Sequence, residues 1–271
     1  MRGTTMLGKT ALASACLGLA ALPASAHDAW IEADRSDAGV TVSFFSGHAD
    51  DLASYNMHPA RLASMTLDSA GMRRSLLTEA ADLQPGDTLQ LDLSSDEAHM
   101  ITLTTFRASS QLDAETFLEY AAEEGISPIL RHRASSGDIN RPGTEVYSRF
   151  MKALVLPVDE AACETGFISQ PVGHVLEILP LASPSEGCSD TLSFQLLYLG
   201  EPLEGGTLHI NRTDAMTEPV KITTDENGMV SFDRPPEGDW YIHAAWAMPV
   251  SERAFGADYA TSFASLSFVL D

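Results

Sequence analysis

The histidine with the most unusual position is His27, one of eight in the 271-residue sequence. It directly follows Ala-Ser-Ala at 24–26, a small-residue pattern that signal peptidase recognises. Cleavage there would make His27 the first residue of the mature chain, where its α-amine and a ring nitrogen can chelate one ion together. One further imidazole gives three nitrogens, a set that suits copper(II) or nickel(II), and a carboxylate could complete it. His27 is therefore the first candidate metal ligand.

Two other histidines, His48 and His99, are the candidate partners of His27. His48 follows a predicted strand in the sequence SGHADD, beside two aspartates, and His99 opens the predicted strand HMITLT. Because strand ends of a β-sandwich gather at one edge, where loops present ligands, we expect the three histidines to meet there. The alternative for His48 is an ordinary surface loop residue. The alternative for His99 is a side chain bonded to local backbone.

The other five histidines carry weaker signals for metal binding. His58 precedes a proline in the sequence NMHPA, which favours an extended turn, and it is a minor soft-metal candidate. His132 stands between two arginines in a predicted polar loop over residues 131–143. The last three lie in or beside predicted strands and are interpreted as structural: His174, His209 and His243.

The first 26 residues have the pattern of a cleavable signal peptide. Arg2 and Lys9 form a positive start, and the apolar run over 11–22 is too short to span a membrane. The sequence thus predicts a signal peptide over 1–26 and a mature protein exported to the periplasm. Cys16 leaves a lipoprotein open as an alternative, although the residues before it match a lipobox poorly.

Charge and cysteine usage fit an exported protein. The formal net charge is −22, which argues against nucleic acid or an anionic membrane surface as a partner. This charge would attract cations, but it also serves simple solubility. Cys163 and Cys188 remain after cleavage, and such a pair in an oxidising compartment predicts a disulfide.

The hydrophobic pattern indicates an all-β protein of two sandwich domains. Short segments with period-two alternation recur along the chain, and Asn227-Gly228 is a strong hairpin signal. One helix is predicted over about 113–125, with Asp113 as its N-cap and Gly125 as its stop. A Ser-, Pro- and Gly-rich stretch at 181–190 predicts a boundary. The predicted units are therefore an N-terminal β-rich domain (27–182) containing the helix, and an immunoglobulin- or prealbumin-like β-sandwich (190–271).

Several stretches resemble one family of bacterial exported proteins. They are HDAWIE at 27–32, FFSGH at 44–48, FLEYAAEEGISPIL at 117–130, RPGTEVYSRFMKALV at 141–155, PVGHVLEILP at 171–180 and YLGEPLEGGTLHI at 198–210. The family is a domain of unknown function that is labelled a periplasmic component of cobalt or nickel transport, similar to nickel-uptake substrate-specific proteins. The resemblance implies a metal ion as ligand, a membrane transporter or envelope protein as partner, and a histidine at the strand start that holds His99.

The sequence lacks the common catalytic signatures GxSxG, HExxH and CxxC and has no P-loop. We therefore expect a periplasmic accessory protein, not an enzyme, that binds nickel, cobalt or copper for uptake or handling. One alternative is a metal-independent envelope protein whose sandwiches present interaction surfaces. A second is a copper oxidase, because a histidine brace also uses an N-terminal histidine with another histidine.

Overall fold

The fold was analysed in a computed structural model that describes residues 28–36, 39–47, 53–54, 59–157, 163, 166–185, 187–213, 218–250 and 256–270. The predicted signal peptide and three of the histidines lie outside these residues: His27, His48 and His58. None of the helices in the described ranges is long and apolar enough to cross a membrane.

The described residues are mostly in strands, with two α-helices inserted after the eighth strand. The helices are α1 (Ala114–Glu123) and α2 (Ser127–Ser136). The strands are β1 (Asp28–Ser36), β2 (Gly39–Gly47), β3 (Ala53–Ser54), β4 (Leu62–Ser69), β5 (Met72–Ser75), β6 (Leu89–Leu91), β7 (His99–Thr105), β8 (Ala108–Leu112), β9 (Gly143–Val155), β10 (Leu176–Pro180), β11 (Thr191–Tyr198), β12 (Glu201–Pro202), β13 (Thr207–Arg212), β14 (Val220–Thr223), β15 (Met229–Asp233), β16 (Gly238–Pro249) and β17 (Tyr259–Leu270).

Within the described ranges the strands form one sheet of nine strands and two sheets of four. The large sheet has the order β14-β13-β16-β17-β9-β7-β4-β5, with β8 also paired to β9. β9 and β17 run parallel at its centre, and its other pairs are antiparallel. The small sheets are β1-β2-β3 with β6, and β10-β11-β12 with β15.

The sheet of β1, β2, β3 and β6 covers one face of the large sheet together with the helices. The sheet of β10, β11, β12 and β15 covers the opposite face. Along β9, Met151 and Ala153 join the core beneath β1, β2 and β6, whereas Leu154 joins the core beneath β10, β11 and β15. The helices lie on the first face, where Phe117 packs in one cluster with Tyr259 of β17. This layering confirms the predicted all-β, sandwich-like fold, and the period-two alternation of each central strand supplies both cores.

Strands from both sides of the Ser-, Pro- and Gly-rich stretch share the large sheet, because β9 pairs with β17 along nine residues. The division into units 27–182 and 190–271 stays a prediction. The shared sheet shows that separating the two segments would expose the paired edges of β9 and β17. The predicted disulfide between Cys163 and Cys188 is confirmed, with 5.2 Å between the two Cα atoms.

Helix α1 lies within the predicted span and begins as predicted. The Asp113 side chain accepts hydrogen bonds from the backbone N–H groups of Glu115 and Thr116. The prediction of a loop over 131–143 is wrong at its start, because α2 continues to Ser136. The composition of α2 is polar, but a proline in its first turn and Gly137 at its end, with φ of 77°, fix its limits.

Candidate metal centre

Three side chains from separate elements converge on the face of the large sheet that β1 and the helices cover. They are Glu124 at the C-cap of α1, His209 in β13 and His243 in β16. His209 and His243 are direct cross-strand neighbours, and their ring centroids are 4.4 Å apart. All three residues are buried, and one donor atom from each lies within 4.8 Å of the others. Among the described residues this is the one group of three His, Cys, Asp or Glu side chains with such spacing.

The end of α1 is brought against β13 by a glycine. Gly125 follows Glu124 with φ of 68°, a conformation that L side chains rarely adopt. A Cβ atom at Gly125 would lie 2.1 Å from Thr207 Oγ1, so only glycine allows this approach. Lys221 of β14 also donates to the Glu123 carbonyl over 3.2 Å. The glycine stop of α1 thus places the Glu124 carboxylate beside His209, two residues along β13 from Thr207.

The histidines have ring nitrogens without hydrogen-bond partners. In the described part of the chain, Nε2 of His209 and Nε2 of His243 are buried and have no hydrogen-bond partner, whereas Nδ1 of His243 lies against Asp28. Glu124 Oε2 faces the two Nε2 atoms, at 4.0 Å from His209 and 3.9 Å from His243. Buried polar atoms are normally hydrogen-bonded, so two unpartnered Nε2 atoms beside one carboxylate require an explanation.

Asp28 at the start of β1 faces the other side of the His243 ring. Its Oδ2 lies 2.7 Å from His243 Nδ1, close enough for an ion pair but off the axis of a hydrogen bond. Tyr241 Oη donates to the same carboxylate over 3.4 Å, and the Tyr241 ring stacks on Trp30 with centroids 4.3 Å apart. Asp28 therefore fixes the Nδ1 side of His243 and leaves Nε2 directed at Glu124.

Burial sets the charges of the cluster. It raises the pKa of Glu124 to about 7, and the nearby Asp28 carboxylate adds to the rise while His243 opposes it. Burial also lowers the pKa of His209 to about 3, so this ring is neutral at neutral pH with a lone pair available. For His243, burial favours the neutral ring, but the carboxylates of Asp28 and Glu124 outweigh it and raise its pKa.

The composition of the cluster suits a divalent metal, and its donor atoms are close enough to reach one ion after small shifts. Ligand atoms about 2.0–2.1 Å from a tetrahedral metal lie about 3.3 Å from one another, so shifts of less than 1 Å would bring the three donors to bonding distance. Two imidazoles and a carboxylate suit nickel, cobalt and copper. A carboxylate behind a metal-binding histidine is the usual outer partner, and Asp28 has that position relative to His243.

His99, the one described member of the predicted histidine trio, lies elsewhere with both ring nitrogens engaged. Its Nδ1 is 2.8 Å from Ser69 Oγ and its Nε2 is 3.1 Å from the Ser94 carbonyl. The meeting of His99 with His27 and His48 stays a prediction, because the other two lie outside the described residues. On α2, Nδ1 of His132 lies 2.9 Å from Oη of Tyr259, and the ring of His174 packs against that of Phe150.

Sequence reasoning interpreted His209 and His243 as structural and assigned Glu124 no role. The available signal was the alternation of their strands. Ile242 and Ala244 fill one core, so His243 faces the other side together with Tyr241. The same alternation places the side chain of His209 on the other face of β13 from that of Ile210. Each histidine lies in the middle of a predicted strand, on the face that carries fewer apolar residues, and this position could have singled out both. Which residues of the two strands lie side by side cannot be read from the sequence.

A family described as a domain of unknown function (DUF4198) matches residues 24–247, a range that contains Asp28 and the three residues of the cluster. A comparison with curated proteins finds no match. The description of the family names no activity or ligand. The disulfide is typical of proteins that fold in an oxidising compartment outside the cytoplasm. Since the match covers most of the sequence, the chain belongs to the DUF4198 family of domains of unknown function.

Proposed function

We propose that the protein binds a divalent transition metal, nickel, cobalt or copper, through Glu124, His209 and His243, and serves its uptake or handling in the periplasm. The observation that carries the proposal is the set of buried, unpartnered ring nitrogens that face the Glu124 carboxylate. In a purely structural cluster these nitrogens would cost free energy without compensation, whereas a bound cation would satisfy them.

Three protein ligands leave coordination positions open. A closed structural site usually has four protein ligands, whereas an open position allows a further ligand to enter or exchange. This incompleteness supports a role in which the ion is received and passed on, with a membrane transporter or another envelope protein as partner. The excess of acidic residues would favour arrival of a cation by long-range attraction.

His27 is the proposed source of the additional nitrogens. It lies outside the described residues, but it is joined by one peptide bond to Asp28, whose carboxylate contacts His243. If the signal peptide is removed before His27, a free α-amine is created next to the His27 imidazole, and both groups belong to the residue before Asp28. The amine titrates near pH 8, so a metal can displace its proton at neutral pH.

Metal titration of the mature protein tests the three-residue site. We expect Ni²⁺ and Cu²⁺, measured in competition with a chelator, to bind at one site per chain. H209A and H243A should each weaken binding at least about 100-fold, which corresponds to about 2.7 kcal/mol. The fluorescence of Trp30 provides a second measurement of binding. The Trp30 ring stacks on Tyr241 and Tyr241 contacts His243, so bound Cu²⁺ should quench this fluorescence.

H99A is the matched control, since His99 is also a buried histidine on the large sheet but has partners at both nitrogens. It should bind metal as the wild type does. Equal affinity of H209A, H243A and wild type would refute the site. A separate variant with one glycine before His27 should lose about tenfold in affinity, or about 1.4 kcal/mol, if the α-amine is a ligand. An unchanged affinity in that variant would remove His27 from the site while leaving the other three residues.

A further inference from the structure

The opposite face of the large sheet buries a second set of charged side chains beneath β10. Lys152 of β9 and Glu177 of β10 form an ion pair, and each is about 1% exposed. The Glu177 carboxylate also accepts hydrogen bonds from three consecutive backbone N–H groups, of Val172, Gly173 and His174, over 2.7–3.1 Å. These three N–H groups and the Lys152 ammonium group are four donors, which use the full accepting capacity of the carboxylate.

Lys152 is less completely engaged than Glu177. An ammonium group has three N–H donors, and the described acceptors are two, the Glu177 carboxylate and the Ile178 carbonyl at 3.2 Å. Lys152 also lines a cavity of about 300 Å³ that opens between β4, β7 and the segment before β10. One donor of a buried cation therefore remains for a molecule in this cavity.

Two side-chain acceptors in the cavity wall, Asp68 and Ser69, already have hydrogen-bond partners. Asp68 accepts from Arg73 Nε through one oxygen and from Thr66 Oγ1 through the other. Ser69 Oγ is paired with His99 Nδ1. Besides Lys152, the outer guanidinium nitrogens of Arg73 at the mouth are donors, and the Gln170 amide lies at the rim. The polar part of the cavity thus offers donors to an oxygen-bearing group.

The remaining wall is apolar and includes Met100, Phe167 and Ile168, of which Met100 and Ile168 are buried. A volume near 300 Å³ is at the lower end of the range for small-molecule sites. From the donors at one end and the apolar wall at the other, we infer that this cavity binds a small organic acid with a short apolar chain. Its carboxylate contacts Lys152 and Arg73, and its chain packs against Met100 and Ile168.

Hexanoate and 1-hexanol, which have the same chain and differ in the carboxylate, are suitable probes. In mature protein labelled with ¹³C at the methionine methyl groups, hexanoate should shift the Met100 and Met72 signals in a saturable way. Met65 and Met151 lie in the core of the other face and should not move. Hexanoate should bind at least tenfold more tightly than 1-hexanol.

Two variants identify the contacts. R73Q changes an exposed side chain and should weaken hexanoate binding severalfold without affecting 1-hexanol. The double variant K152M/E177M replaces the ion pair with apolar side chains of similar length, and should remove the preference for hexanoate. Three results would each overturn the inference. The wild type could bind both probes equally, hexanoate could shift Met65 and Met151 as much as Met100 and Met72, or both variants could keep the wild-type preference for hexanoate.

Discussion

The two faces of the large sheet bury ionisable groups in opposite ways. On the face covered by β1 and the helices, Glu124, His209 and His243 leave ring nitrogens without partners. On the face covered by β10, Glu177 is fully bonded and Lys152 keeps one donor. The first cluster has ring nitrogens whose lone pairs can bind a cation when the rings are neutral, whereas the second has an unused N–H donor. Burial alone therefore does not define a role, and the kind of unsatisfied atom indicates which ligand each site suits.

The same difference separates stability from binding. A buried ion pair joins β9 to β10, and removing one partner would leave the other charge buried alone, so that change should affect folding. A buried cluster that lacks partners contributes little to folding without its ligand and should affect mainly metal affinity. The following predictions test this division, from the largest expected effect to the smallest.

Breaking the ion pair should be the most destabilising change. K152M leaves the Glu177 carboxylate buried without its ammonium partner and should lower the free energy of unfolding by about 3–5 kcal/mol. K152M/E177M removes both charges and should recover most of this loss. Urea unfolding monitored by circular dichroism measures both, with E201Q, a change at an exposed residue of β12, as the control. Equal losses in the single and double variants would show that the pair does not act as a unit.

Asp28 should affect metal affinity and not the fold. D28N keeps the shape of the side chain but removes the charge that faces His243 Nδ1. Loss of such an outer partner typically weakens metal binding 10- to 100-fold, or about 1.4–2.7 kcal/mol. D34N, at an exposed position of the same strand, should bind Ni²⁺ as the wild type does. An affinity for D28N equal to that of D34N would contradict the role of Asp28.

The ion pair should also give the fold a defined dependence on acid. Burial alone would raise the pKa of Glu177, but Lys152 and the backbone N–H groups outweigh it, so the pKa lies below the ordinary 4.5. The unfolded chain then binds more protons, and stability from this group is complete above pH 4.5 and declines as pH falls through the folded pKa. Each pKa unit contributes about 1.4 kcal/mol. Unfolding from pH 7 to 3 should therefore show a smaller acid loss in K152M/E177M than in the wild type.

Much of the fold was predictable because it depends on local patterns. Alternating apolar residues predicted the strands, and the capping side chain of Asp113 with the stop at Gly125 predicted α1. Helix α2 was missed because its surface is polar and only a few positions, including Ile129 and Arg133, are buried. The sharing of one sheet by both halves of the chain depends on the long-range pairing of β9 with β17, which no local pattern contains.

The sequence predicted a metal site, but it did not predict the members of the buried cluster. The position of His27 and the family resemblance pointed to a metal, and His99 was chosen because it begins a strand. The structure brings together His209 and His243 through cross-strand register, and Glu124 through the close contact of Gly125 with Thr207. These two contacts join residues far apart in the sequence, so spacing along the chain could not identify them.

Counting the imidazoles on a bound metal tests the central claim most directly. In mature protein loaded with one Cu²⁺ per chain, pulsed electron paramagnetic resonance detects the remote nitrogen of each coordinated imidazole. We predict that H209A and H243A each lose the signal of one imidazole, while H99A retains the wild-type spectrum. A spectrum that is the same in the wild type, H209A and H243A would contradict metal binding by the buried cluster.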